Sequence, residues 1–164
     1  MAGLAGEIGK RSPFVLPAQE AYVSLVRTLS LLSEPIDRVL KEHKLSEPLY
    51  NILRILRGHA LEAGEDFCGL ATQRIGEHML SREPDMTRLI DRLERAGLVE
   101  RRRSNEDRRV VLVAPTEAGL DLAERLTPEI DAVHREQFTG LSAEEVTELI
   151  GLLDRIRAGL RGSE

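Results

Sequence analysis

Two groups of arginines carry the strongest chemical signal in the chain. In the first, Arg88, Arg92 and Arg95 recur with Asp91 at helical spacing. On a helix these four share one side, while Met86, Leu89, Ile90 and Leu93 fall on the other. In the second, Arg101, Arg102 and Arg103 are separated from Arg108 and Arg109 by Ser104-Asn105-Glu106-Asp107, a turn-forming run. A guanidinium is planar and permanently charged, and its forked donors match a phosphate or the O6/N7 edge of guanine. Five of them on the two sides of one turn repel one another unless anions lie nearby. An arginine-bearing helix that follows a short helix and a turn suits the major groove of double-stranded DNA. A hairpin with arginines at its tip suits the minor groove, where the potential is strongly negative. Each group also has a plainer explanation. Asp91 and Glu94 would exchange salt bridges with the helix arginines on a solvated face, and charge on a hairpin edge discourages pairing between molecules. Taken together, helix and hairpin favour DNA.

Composition sets the bounds. With 164 residues, 41% hydrophobic and 31% charged, the chain has room for one domain, or for a small module with helical extensions, and is too apolar for wholesale disorder. The net charge of −5 hides an uneven distribution: residues 72–109 hold ten arginines and eight acids, the remainder thirteen bases and twenty acids. No stretch approaches the roughly 20 apolar residues of a membrane span, and the N-terminus lacks a signal peptide's apolar block, so a cytoplasmic protein with no membrane partner is expected. A single cysteine, Cys68, excludes an intrachain disulfide and a thiolate metal cluster. It follows Glu65-Asp66, whose charge disfavours a thiolate, and reads as a small buried hydrophobe, not a redox switch. His43, His59, His78 and His134 are scattered, with no H-E-x-x-H, Gly-rich phosphate loop or nucleophile motif. No enzyme, metal or cofactor is expected.

The elements that would position the arginines follow from periodicity. Val23, Val26, Leu29, Leu32, Ile36, Val39 and Leu40 mark a helix over 18–44, kinked or divided at Pro35. Ser46 caps a second helix that Leu49, Ile52, Leu53, Ile55 and Leu56 carry to about His59. A loop over 61–69 leads to a very short strand at Leu70-Ala71, and Thr72 caps a helix over 73–80 with Ile75 and Met79 inward. Pro84 opens the arginine-bearing helix, which ends at Ala96 before Gly97. Strands over 98–103 and 109–114 form the hairpin, and Thr116 caps a helix bent at Pro128. Ser142 and Glu145 form a capping box for a final helix striped by Val146, Leu149, Ile150, Leu153, Ile156 and Leu160.

Leu45-Ser46 with residues 50–56, the T-R-L-x-D-R-L-E-x-x-G-L-V block from Thr87 to Val99, Asp107-Arg108-Arg109 and Thr116-Glu117-Ala118-Gly119 together resemble the MarR family of bacterial regulators, over about residues 18–160. The resemblance implies a mainly α fold with a small β-hairpin wing. Residues 1–17, with three glycines, two prolines and no sustained period, are expected to be mobile or to pack on a partner; the resemblance divides the rest into an N-terminal dimerisation helix at 18–45, a winged helix-turn-helix DNA-binding lobe at 46–116 and C-terminal dimerisation helices at 117–160. It implies DNA-facing roles for Arg82, Pro84, Asp85, Thr87, Arg88 and Arg92 on or before the recognition helix 84–96, and for Arg108 and Arg109 on the wing, with Asp107 orienting a wing arginine. Asp85 stands where the family often has a small hydroxyl residue, and either accepts from cytosine N4 or serves the helix start. A small aromatic or anionic effector is implied between the two lobes, with Tyr22, His43, Tyr50 and His59 as lining candidates. The expected function is a homodimeric transcriptional regulator, a repressor on a pseudo-palindromic operator. The alternative is a winged-helix module for protein contacts.

Overall fold

The computed structural model describes residues 3–104 and 109–162. Asp107 and Arg108, two of the residues assigned to the wing, lie outside them. The chain divides into two compact units, Met1–Thr127 and Pro128–Glu164.

In the first unit a one-turn helix α1 (Leu4–Glu7) interrupts the segment expected to be irregular, and the Glu7 carboxylate lies 3.9 Å from Arg27 Nε. Helix α2 (Pro17–Glu42) runs unbroken through Pro35, so the two-helix alternative does not hold. An interior proline removes its own N–H donor and its ring crowds the carbonyl four residues earlier, and the rest of a 26-residue helix holds the element together. Helix α3 (Glu47–Ala63) extends past Gly58 and stops only at Gly64, which adopts φ 62, and a 3₁₀ turn (Gly64–Asp66) follows. Ser46 stands at the N-cap of α3, but its hydroxyl makes no capping hydrogen bond. Strand β1 (Leu70–Ala71) leads straight into α4 (Thr72–Glu77), with Ala71, not Thr72, at the cap.

Helix α5 (Met86–Arg95) is followed by β2 (Val99–Arg103) and β3 (Val111–Pro115). The strands form an antiparallel sheet ordered β1-β3-β2, with Val99 opposite Pro115 and Arg103 opposite Val111. Leu40 of α2, Ile52, Leu53 and Leu56 of α3, Ile75 of α4, Ile90 and Leu93 of α5, Val99 and Val113 are all fully buried and form one core. Each such side chain contributes about 1.5–3 kcal/mol of transfer free energy.

Helix α6 (Glu117–Gln137) continues through Pro128 without a break. In the second unit α7 (Ala143–Arg161) begins with the expected capping box: Ser142 Oγ accepts from the Glu145 amide at 3.2 Å, and Glu145 Oε2 accepts from the Ser142 amide at 2.7 Å. Its apolar stripe forms, yet it buries no residue. No helix among the described residues is long and apolar enough to cross a membrane.

Candidate nucleic-acid interface

Asp85 sets the start of α5. It is the N-cap, with φ −128 and ψ 61, and its Oδ1 accepts from the Arg88 amide at 3.1 Å. Pro84 therefore precedes the helix instead of opening it, because the chain turns at Asp85 to aim its carboxylate at the first free amides. Asp85 thus serves the helix start. On the inward side Ile90 and Leu93 are buried and Met86 and Leu89 half-buried, while Thr87, Arg88, Arg92 and Arg95 are exposed on the outward side. Arg82 and Pro84 are exposed just before the helix, where Ser81 Oγ donates to Glu83 Oε1 at 3.0 Å.

The arrangement of charge departs from what spacing alone suggested. Arg101, expected among the wing's outward cations, turns back onto α5. It bonds Asp91 Oδ1 at 2.5 Å and also pairs with Glu94, whose other oxygen accepts from the Arg101 amide at 3.3 Å. Strand parity explains this: Arg101 shares the face of buried Val99 and lies opposite buried Val113. Partial burial draws the Arg101 pKa down, but the hydrogen bond to Asp91 and the charge of Glu94 outweigh it, and the guanidinium is held above its ordinary range. Arg101 thus takes the two carboxylates that would otherwise have neutralised the helix. Arg88, Arg92, Arg95 and Arg103 make no ion pair among the described residues. Arg102 is tied to Glu100, its neighbour on the same strand face, and Arg109 is exposed near the tip.

The base of the hairpin is closed by Thr116. Its hydroxyl donates to the Gly97 carbonyl at 2.7 Å and accepts from the Gly119 amide at 3.1 Å, while its own amide donates to Leu98 O at 3.1 Å. Gly119 is obligatory here, since a Cβ would run into the Leu98 carbonyl oxygen. The T-x-x-G motif therefore joins the end of α5 to the start of α6.

The aromatic candidates do not converge. Tyr22 is 68% exposed, His43 and Tyr50 are half-buried, and none of the three lines a described cavity. His59 does line one, of about 830 Å³, next to β1 and the hairpin, and its ring lies 5.2 Å from that of His78. Cys68 is exposed, not buried, because the chain approaching β1 runs along the surface there. Sequence reasoning missed the Arg101 brace, although its place two residues after Val99 was the available signal. It also missed buried Asn51, whose amide meets Met79 Sδ at 3.6 Å and whose Oδ1 accepts from Arg54 Nη2 at 2.9 Å.

The MarR family model matches residues 66–111, from the 3₁₀ turn into β3. The chain is 31% identical over 137 residues to the HTH-type transcriptional regulator PecS of Dickeya dadantii, covering 84% of this chain and 80% of that one. It is 29% identical over 130 residues to the HTH-type transcriptional repressor IacR of Pseudomonas putida, covering 79% and 73%. The crystal structure of a MarR transcription factor from Planctomyces limnophilus superposes with a TM-score of 0.63 at 39% identity, covering 87% of this chain and 98% of that one. With this fold and this likeness, the chain belongs to the MarR family of winged-helix, DNA-binding transcription regulators.

Proposed function

We propose that the protein is a homodimeric repressor that reads a pseudo-palindromic operator. The carrying observation is the outward face of α5, where Arg88, Arg92 and Arg95 have no carboxylate partner among the described residues because Arg101 holds Asp91 and Glu94. In this reading Thr87, Arg88 and Arg92 meet base edges and phosphates in the major groove, Arg82 and Pro84 follow the backbone beside it, and Asp85 fixes the helix entry. Arg109, with Arg108 and Asp107, serves the minor groove. The apolar side chains left exposed on α2 (Tyr22, Leu25, Val26, Leu29) and on α7 (Ile150, Ile156, Leu160) support a dimer built from the chain's two ends. Two recognition helices about 34 Å apart would enter successive major grooves, and occupancy would exclude polymerase, in keeping with the repressor IacR among the relatives. A small-molecule effector would act by favouring a dimer with the wrong helix spacing.

The test is selection of the purified protein against a random duplex library, with the winner retested by mobility shift at two salt concentrations. A pseudo-palindromic winner preferred over random duplex by at least about 4 kcal/mol is expected. Equal affinity for all duplexes would replace this reading with a protein-contact role for the wing.

A further inference from the structure

The cavity of about 830 Å³ beside the hairpin owes its shape to two glycines. The chain leaves α3 at Gly64, with φ 62, and rejoins the sheet at Gly69, with φ 112, where β1 presses so close to β3 that a Cβ would sit 2.7 Å from the Val113 carbonyl oxygen. The excursion between them leaves a hollow walled by Phe67, Leu70, Val110 and Leu112. Its volume lies within the roughly 300–1,000 Å³ of small-molecule sites. Its charge is one-sided. Among the described residues Glu62 and Asp66 line it, no lysine or arginine does, and neither carboxylate makes an ion pair. His59 adds an imidazole to the lining.

We propose that this cavity is an effector site for a small aromatic cation, such as an arylalkylamine, with its ring against Phe67, Leu70 and Leu112 and its ammonium toward Glu62 and Asp66. An anion of the same shape meets two carboxylates and is rejected. Val110 and Leu112 belong to the hairpin, and the Ser104 amide bonds Val110 O at 3.0 Å to continue its ladder. An occupant therefore presses on the wing stem and changes operator affinity, a consequence that rests on the DNA-binding role proposed above.

Calorimetry on the full-length protein without DNA, at about pH 8 where the amine is still protonated, compares naphthylmethylamine with naphthoic acid. The amine is expected to bind saturably, and the acid at least about tenfold more weakly. The double variant Glu62→Gln/Asp66→Asn, with its circular dichroism unchanged, should lose that preference. Saturating amine should slow alkylation of Cys68, the single thiol, which lines the same cavity. Equal binding of the acid, no binding of the amine, a preference that survives in the double variant, or an unchanged alkylation rate would each overturn the site. Amine binding that leaves operator affinity unchanged would overturn its regulatory role. Failure of the protein to bind any operator in the absence of amine counts against the DNA reading instead, and the DNA-free calorimetry separates the two.

Discussion

Helices α3 and α7 carry the same apolar periodicity and meet opposite fates. Over 17 residues α3 buries six; over 19 residues α7 buries none, although Val146, Leu149, Ile150, Leu153, Ile156 and Leu160 recur at equivalent spacing. Periodicity reports that a helix has a face to cover, and is silent on whether the cover comes from the same chain. The same division runs through α5, whose Ile90 and Leu93 are satisfied inside the fold while Arg88, Arg92 and Arg95 point away from it.

The largest effect should come from truncating the satisfied face. Leu53→Ala is expected to remove about 2–5 kcal/mol, read from urea midpoints at constant m-value. The matched change in α7, Ile156→Ala, should cost the isolated chain less than about 0.5 kcal/mol, yet weaken self-association and lower the Tm at any fixed concentration of the assembled protein. Equal losses at the two sites would erase the contrast between the helices. On α5, Arg88→Ala should lose about 1–3 kcal/mol at the selected operator and relax its base preference, without a comparable loss of stability.

Arg101→Ala sharpens the comparison, because this residue works through others. It frees Asp91 and Glu94 beside Arg92 and Arg95, and operator affinity should fall by about 1 kcal/mol, recovered in part by adding Asp91→Asn and Glu94→Gln. A loss that the second-site changes leave untouched would make Arg101 a direct DNA contact instead. The smallest expected effect is at the start of α7. The Glu144 carboxyl is held below its ordinary range, first by a hydrogen bond from its own amide and then by the Ser142 hydroxyl at 2.9 Å. Folding thus favours the ionised form. Its contribution is complete above the ordinary glutamate pKa and disappears as pH falls through the folded value, so a carboxyl NMR titration should show a midpoint below that of a model glutamate.

Much of this was legible in the chain. The order of elements, the two-residue strand at Leu70-Ala71, the hairpin and the Ser142 capping box all follow from local spacing and cap chemistry. Helix limits were less so. The second helix is expected to end near His59, but nothing lies within 4 Å of the place a Cβ on the preceding Gly58 would occupy and its φ is not positive, so the helix absorbs a penalty of roughly 1 kcal/mol against alanine and continues to Ala63. The charge pairing was hidden for a different reason. Asp91 and Glu94 sit at helical spacing from Arg88, Arg92 and Arg95, and only the packing of β2 against α5 brings in Arg101, ten residues from Asp91, as the partner.

The Thr116 clasp gives the wing a direction in which to come apart. Its bond to the Gly97 carbonyl joins residues 19 apart, and the chain between them has already surrendered its closure entropy at the base. Opening from that end would break the Thr116 bonds, the Val99–Pro115 pairing and the Gly119–Leu98 contact at once, whereas opening from the far end costs one ladder step at a time. Amide exchange should therefore run as a zipper from Ser104 and Val111 toward Val99. The end that unzips first is the one where Ser104 meets Val110, while the root at Val99 and Thr116 stays anchored.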